Sequence, residues 1–173
     1  HTLFDHYTYA IVSDGDLMEG ISQEAASLAG HLGLGKMIYL YDSNHICIEG
    51  NTELSFSDDT KKRFEALNWQ VLIVADGNDV DAIQQAIDEG KKESEKPTLI
   101  IVTTKIGYGS PKEDTAGAHG EPDGEEGTKV TKEFFGRPNE PALQVPAGVR
   151  THGLQAGEQG KALRQAWDEK YQT

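Results

Sequence analysis

The sequence SDGDLMEG, residues 13–20, ends what we interpret as the first buried strand of the fold. β-Branched and aromatic residues dominate the preceding run, Tyr7 to Ser13, and a polar Ser-Asp-Gly is a typical end for such a strand. A second polar group, YDSN at residues 41–44, follows after one predicted helix and one predicted strand. Asp14 and Asn44 therefore either meet to hold a ligand or merely end two strands.

The rest of the chain repeats this alternation of strand and helix. Apolar residues spaced at 3.6-residue intervals mark the helices, and short apolar runs mark the strands. We expect helices over about 19–32, over about 57–67 and from about 80, and strands over 37–42, 69–75 and 98–104. This pattern predicts an α/β fold with an open, mostly parallel sheet and helices on both faces. Such sheets bind ligands beyond the carboxyl ends of their strands, where Asp14 and Asn44 both fall.

Beyond the fourth strand the pattern becomes less regular. A loop rich in Gly, Pro and Asp runs from Gly107 to Gly127, and a connector of this length is either functional or disordered. A short helix near Lys129 to Phe135, a Pro-rich passage and a last helix over about Glu158 to Tyr171 complete the chain.

Composition excludes several classes of protein. The 173 residues carry a formal net charge of −13, so we expect no nucleic-acid partner, which would need a clustered basic surface. No apolar window reaches the length of a membrane span, and no secretory signal opens the chain. The single cysteine, Cys47, fits a reducing compartment. We therefore expect a cytoplasmic protein with no membrane partner. Because the chain begins at His1 almost inside a strand, we also expect it to be an internal piece of a longer polypeptide.

Asp14 and Asn44 have the chemistry of a metal site. Carboxylate and amide oxygens are hard ligands suited to Mg²⁺ or Ca²⁺, and Mg²⁺ takes further oxygens from water and phosphate. Gly15 would let the backbone approach a diphosphate closely. These residues predict a metal-bridged diphosphate site, with Asp42 as a cap or a supporting residue. The alternative is that Asp, Gly, Ser and Asn serve here only as turn and capping residues.

Residues 13–50, SDGDLMEGISQEAASLAGHLGLGKMIYLYDSNHICIEG, resemble the thiamine diphosphate motif of transketolases. In that motif Gly-Asp-Gly is followed by Glu-Gly, a helix, a strand and Asp-Asn before Ile-x-Ile-x-Gly. The resemblance continues through FSDDTKKRFEALNWQV, DGNDVDAI, KPTLIIVTTKIGYGSP and AHGEP, so it covers nearly the whole chain. It implies the thiamine diphosphate-binding fold, N-terminally incomplete. Residues 1–135 would be the C-terminal part of the diphosphate-binding domain, and residues 136–173 would lead toward a missing pyrimidine-binding domain.

The resemblance also implies which residues bind the metal and the cofactor. Asp14 and the Asn44 side chain would bind Mg²⁺ together with the backbone carbonyl of Ile46, with Ca²⁺ as a substitute ion. Gly15 would lie against the diphosphate, and Ile48 would pack on the thiazolium ring.

Two further residues match functional positions of the family. Glu19 corresponds to an acidic residue implicated in contacts between cofactor sites across a dimer. His119, in AHG, corresponds to a histidine that reaches the diphosphate and the substrate region, and it is the candidate catalytic residue. A loop histidine in solvent is the alternative interpretation of His119.

The activity implied is transfer of a two-carbon ketol unit from a ketose phosphate to an aldose phosphate, as in the pentose phosphate pathway. The cofactor acts as the electron sink, and the protein supplies binding, orientation and electrostatics. In the family the pyrimidine-binding domain of a partner subunit completes the site, so a full-length homodimer is implied. We expect this chain alone to lack transketolase activity, and measurable turnover by the pure chain would contradict that expectation.

The sequence departs from its family at three positions. Ser13 stands where the family usually has the first glycine, which would cost about 1 kcal/mol or more if that position needs a positive φ. Its hydroxyl could instead hydrogen-bond locally. Glu121 and Asp123 stand where Ala and Leu are common, and their carboxylates would repel a phosphate unless they point away.

Other functions remain open at this level. Another thiamine diphosphate enzyme, such as deoxyxylulose phosphate synthase or phosphoketolase, would share the motif, although DLMEGISQEAASLAG and YDSN favour transketolase. A truncated, non-catalytic transketolase-like module retained for assembly is a second alternative. A nicotinamide-dependent dehydrogenase is a third, but it would need G-x-G-x-x-G after the first strand, and SDGDLMEG does not supply it.

Overall fold

The computed structural model describes residues 3–172 and centres on a four-stranded parallel sheet. The strands lie in the order β1, β2, β6, β5, and each neighbouring pair is parallel. Their bounds are Thr8–Ser13 for β1, Met37–Ser43 for β2, Gln70–Val74 for β5 and Thr98–Thr103 for β6. Two short antiparallel strands, β3 (Ile46–Cys47) and β4 (Gly50–Asn51), form a separate hairpin. The predicted parallel α/β sheet is confirmed.

Helices connect the strands and cover both faces of the sheet. The α-helices are α1 (Asp14–Met18), α2 (Gly20–His31), α3 (Thr60–Ala66), α4 (Val80–Gly90), α5 (Gly117–Gly120), α6 (Gly124–Phe134) and α7 (Val149–Gln172), with a 3₁₀ turn at Thr52–Leu54.

Side-chain alternation along the central strands divides the core between the two faces. Tyr41 of β2 and Leu99 of β6 belong to the cluster that α1, α2 and α3 cover. Ile38 of β2 and Ile100 of β6 belong to the opposite cluster, against α4. Because successive strand residues point to opposite faces, one short strand contributes to both clusters.

The α2 side of the core is packed to backbone contact. Phe64 and Trp69 meet edge to face with ring centroids 5.1 Å apart, and the Trp69 indole N–H donates to the Ala26 carbonyl at 2.8 Å. At Gly30 of α2 a Cβ atom would lie 1.7 Å from the Leu67 carbonyl oxygen. Only a residue without a side chain therefore fits at position 30.

The long loop after β6 has defined turns. Gly107 and Gly109 both have positive φ, and the Glu113 carboxylate accepts the Gly109 N–H at 2.8 Å. This bond, with the Lys105 ammonium beside it, holds the pKa of Glu113 below its usual value. Tyr108 packs edge to face on Phe134 of α6, with ring centroids 5.4 Å apart. The loop is thereby fastened to α6.

The last two helices begin earlier than the sequence predicts. α6 begins at Gly124 rather than near 129, and α7 begins at Val149 rather than near 158. Glycine costs about 1 kcal/mol in a helix interior, so propensity places the start of α7 after Gly153 and Gly157. α7 nevertheless runs through them.

The boundary predicted after residue 135 follows the end of α6 directly, and the division into 1–135 and 136–173 stays a prediction.

α7 returns to the start of the described chain, where the Trp167 indole N–H donates to the Leu3 carbonyl at 2.9 Å. Within residues 3–172, no helix combines the length and the apolar character that crossing a bilayer requires.

Candidate functional site

The polar ends of β1 and β2 meet at one edge of the sheet. The parallel register pairs Ser13 with Asp42, so the residues that follow each strand leave the sheet at the same edge. Asp14 and Asn44 therefore come to the same region although 30 positions separate them in the sequence. The predicted placement of both residues at the carboxyl ends of parallel strands is confirmed, and their role as metal ligands stays a prediction.

Asp14 is a buried carboxylate at the start of α1, with 3% of its surface exposed. One carboxylate oxygen accepts the Tyr41 hydroxyl, and the other accepts the His45 backbone N–H at 3.0 Å. Among the ion pairs of residues 3–172, none involves Asp14. A buried carboxylate without a cationic partner is costly, so the arrangement fits a bound cation.

Tyr41 is the residue that holds this carboxylate from the core side. It is 4% exposed and lies in the cluster beneath α1 and α2. Burial, together with the bond to Asp14, raises the pKa of Tyr41 to about 12. Its hydroxyl therefore stays protonated at neutral pH and donates a hydrogen bond to Asp14. Sequence reasoning missed Tyr41 because an aromatic residue inside a strand is typical of an ordinary core position.

Asn44 is held on both sides of its amide group. The amide oxygen accepts the Ile46 N–H at 3.0 Å, and the amide nitrogen donates to Asp42 at 3.4 Å. Between Asn44 and Ile46, His45 adopts a left-handed backbone with φ of 61°. This turn aims the His45 N–H at Asp14, a role of the backbone that side-chain chemistry in the sequence does not indicate.

A cavity of about 410 Å³ collects most of the predicted cofactor residues. Gly15, Asn44, Ile46, Ile48 and His119 all line it. Ile48 is 68% exposed, which leaves an apolar side chain available to a ligand, and His119 reaches the cavity from α5. Cys47 of β3, half-buried and unpaired, lines the same cavity.

Two predicted residues lie outside this cavity. Asp14 lines a neighbouring cavity of about 320 Å³ together with Tyr41 and His45. Glu19 is exposed at the junction of α1 and α2, and its side chain makes no capping bond to α2. The structure thus brings Gly15, Asn44 and His119 to one cavity, places Asp14 in the cavity beside it and leaves Glu19 on the surface.

Among residues 3–172, no three His, Cys, Asp or Glu side chains cluster closely enough to form a metal site. A metal ion at Asp14 would therefore depend on amide and carbonyl oxygens for its other protein ligands. Asn44 and the Ile46 carbonyl are donors of this type, and Mg²⁺ and Ca²⁺ accept them readily. The donor set fits a hard cation.

Ser13 does not carry the backbone strain considered for a glycine position. Its φ of −105° and ψ of 176° are extended, and it caps α1. Its hydroxyl and its backbone N–H both donate to the Asp16 carboxylate at 2.8 Å, and these two bonds hold the pKa of Asp16 below its usual value. Local hydrogen bonding, the second expectation for Ser13, is what the structure shows.

The acidic residues after His119 point elsewhere. The Glu121 carboxylate pairs with the Lys112 ammonium at 3.0 Å. Asp123 lines a different cavity, together with Lys129 and Lys132. Neither carboxylate lines the cavity of His119, which meets the condition, stated for the sequence, that the two side chains point away from the site.

Comparison with known proteins gives a consistent result. The family model described as "Transketolase, thiamine diphosphate binding domain" matches residues 1–173. Transketolase of Bacillus subtilis is 50% identical over 169 residues, covering 96% of this chain and 25% of that protein. Transketolase-1, chloroplastic, of Arabidopsis thaliana is 50% identical over 169 residues, covering 96% and 23%.

Solved structures agree with the sequence relatives. Transketolase from Leishmania mexicana superposes with a TM-score of 0.91 at 42% identity, covering 96% of this chain and 25% of that chain. A Pichia stipitis transketolase complexed with sedoheptulose-7-phosphate gives the same values. The chain spans about a quarter of the length of the curated relatives it matches.

Proposed function

Because the chain belongs to the transketolase family, matching its thiamine diphosphate-binding domain over residues 1–173, we propose that it binds the diphosphate of thiamine diphosphate through Mg²⁺. The observation that carries this proposal is Asp14, a carboxylate 3% exposed with no ion-pair partner in the described chain. It lies next to a cavity lined by Gly15, Asn44 and His119.

The three protein ligands proposed for the metal all supply oxygen atoms of a suitable kind. Asp14 supplies a carboxylate oxygen, Asn44 an amide oxygen and Ile46 a backbone carbonyl, and Mg²⁺ completes its six oxygens from water and the diphosphate. Ca²⁺ uses the same donors. The ion would offset much of the negative charge of Asp14 and the diphosphate, which allows a chain of net charge −13 to hold an anion.

The cofactor contacts follow from the lining of the cavity. A Cβ on Gly15 would meet only the Ser13 hydroxyl oxygen, at 3.9 Å, so the space beside Gly15 is open to a diphosphate. Ile48 offers an exposed apolar side chain to the thiazolium ring. His119, in the short helix α5, has an imidazole able to donate an N–H to a phosphate oxygen of the cofactor or the substrate.

The reaction we propose for the whole protein is transfer of a two-carbon ketol unit from a ketose phosphate to an aldose phosphate in the pentose phosphate pathway, in the cytoplasm. When bound, thiamine diphosphate supplies the electron sink for carbon–carbon bond cleavage. The residues of this chain hold the diphosphate and orient it, and His119 contacts the substrate. One solved relative is named as a complex with sedoheptulose-7-phosphate, which supports a sugar phosphate substrate.

A homodimer with a pyrimidine-binding domain would complete the site. Ile21 and Leu28 of α2, and Leu32 at its C-terminal cap, lie along one side of the helix and are 70%, 58% and 56% exposed. An apolar stripe at this spacing is suited to packing on another surface. Glu19 is exposed at the start of the same helix, which supports a role between subunits. Without the other domain, we expect this chain to bind the cofactor but not to turn over substrate.

Calorimetric titration with thiamine diphosphate tests the proposal. We expect saturable heat at one cofactor per chain with Mg²⁺, loss of that heat when the metal is chelated, and partial recovery with Ca²⁺. Thiamine, which lacks the diphosphate, is the matched control and should give no Mg²⁺-dependent heat. Equal heats with and without Mg²⁺ would contradict the metal-bridged site.

A further inference from the structure

Asp42 is a half-buried carboxylate that the binding site described above does not use directly. It is the last residue but one of β2. One of its oxygens, Oδ1, accepts both the Thr104 hydroxyl and the Asn44 amide nitrogen, the latter at 3.4 Å. Asp42 forms no ion pair with any residue in 3–172. Its carboxylate therefore acts here as a hydrogen-bond acceptor.

The hydrogen bond to Asp42 determines which way the Asn44 amide group faces. An amide group has an oxygen at one end and an NH₂ donor at the other, and a carboxylate accepts hydrogen bonds only. The NH₂ end must therefore face Asp42, which leaves the oxygen end on the opposite side, where it accepts the Ile46 N–H at 3.0 Å. If the amide turned over, its NH₂ group would face a cation and could not bind it.

We propose that Asp42 is a positioning residue, which fixes the Asn44 amide with its oxygen toward the metal. This inference rests on the proposed function. Thr104, just beyond the end of β6, donates its hydroxyl to the same Asp42 oxygen, and the bond between Asp42 and Asn44 does not pass through it. Its backbone N–H also donates to the Ser43 carbonyl at 3.2 Å, which holds the ends of the two strands together. The orientation of a metal ligand is thus set by the central strands of the sheet.

Three substitutions separate the possible roles of Asp42. Asp42→Ala removes the acceptor, so the Asn44 amide loses one of its two fixing bonds. Asp42→Asn removes the charge but keeps an oxygen where Oδ1 stands, and because both donors use that one oxygen, both bonds persist. Thr104→Val removes the hydroxyl at nearly equal volume and leaves the bond between Asp42 and Asn44.

The readout is the apparent Kd for thiamine diphosphate at fixed Mg²⁺, measured by calorimetry. Asp42→Ala should raise it about tenfold or more, the effect typical of a residue behind a metal ligand. Asp42→Asn and Thr104→Val should stay within about threefold of the unsubstituted chain, since both keep the amide orientation. Urea unfolding without cofactor shows separately how much each variant costs in stability.

Rescue distinguishes a positioning role from a purely structural one. A carboxylate at position 44 presents an oxygen whichever way it turns, so Asp42→Ala combined with Asn44→Asp should recover at least about half of the lost binding free energy. This double variant does not restore the bond to Thr104, so a structural defect would persist.

The outcomes are distinct. An equal loss in Asp42→Asn and Asp42→Ala would show that charge rather than orientation matters and would overturn the inference. Equal losses in Thr104→Val and Asp42→Ala, or no loss in Asp42→Ala, would also overturn it. If the unsubstituted chain shows no Mg²⁺-dependent binding, the proposed function fails, and the inference fails with it.

Discussion

Asp14→Ala should weaken Mg²⁺-dependent binding of thiamine diphosphate by at least about 100-fold. This loss is larger than the loss usual for residues that only hydrogen-bond to a metal ligand. The carboxylate is the single charged protein donor of the proposed site, and its burial at 3% exposure means that no nearby solvent-exposed acid can replace it. Calorimetric titration at fixed Mg²⁺ measures the change. Asp14→Asn, which preserves the volume, should lose most of the binding as well, because a neutral amide attracts the cation less strongly.

Asp16→Asn is the matched control for this experiment. Asp16 lies on the same short helix but is exposed, and its carboxylate bonds only to Ser13 among the contacts described above. The change should reduce stability by about 1 kcal/mol or less, as expected for a weakened cap, and leave the affinity for the cofactor nearly unchanged. Equal losses of affinity in the Asp14 and Asp16 variants would show that general negative charge, not a metal ligand, is responsible.

Gly30→Ala should be the most destabilising single methyl addition among the glycines of the described helices. The new Cβ would lie 1.7 Å from the Leu67 carbonyl oxygen, far inside contact distance, and neither the helix nor the backbone at Leu67 can rotate away as a side chain could. Overpacking costs about 1–3 kcal/mol and sometimes more, so we expect a loss of about 3 kcal/mol or greater in the free energy of unfolding. Urea denaturation followed by circular dichroism measures this loss.

Gly20→Ala provides the control in the same helix. A Cβ at Gly20 meets nothing within 4 Å, so the substitution should be neutral or stabilise the chain by up to about 1 kcal/mol through helix propensity. A small cost for Gly30→Ala, comparable with that of Gly20→Ala, would mean that α2 can move away from Leu67 and that the packing of this face is looser than the structure shows.

The regular elements of the sheet could be predicted from the sequence because their signal is local. Apolar periodicity indicates α2 and α4, and short apolar runs bounded by polar residues indicate β1, β2 and β6. The meeting of Asp14 and Asn44 followed from topology alone, since parallel strands end at a common edge. These predictions needed no knowledge of side-chain contacts.

The supports of the site could not be predicted in the same way. Tyr41 donates to a carboxylate 27 positions earlier, and Thr104 donates to Asp42 from 62 positions later. Such contacts depend on how the elements pack, and periodicity does not encode them. Ser13 was uncertain for a related reason, because the choice between a strained turn and a cap depends on a backbone angle.

The alternation along β2 has a consequence for how this segment can vary in length. Tyr41 supports Asp14 from one face of the sheet, and its neighbour Asp42 supports Asn44 from the other. Inserting or deleting one residue in the strand would exchange the two faces, so the aromatic and the acid would each arrive on the wrong side. Natural variants of this protein should therefore change residues within β2 far more readily than they change its length, and insertions should be confined to the turns on either side.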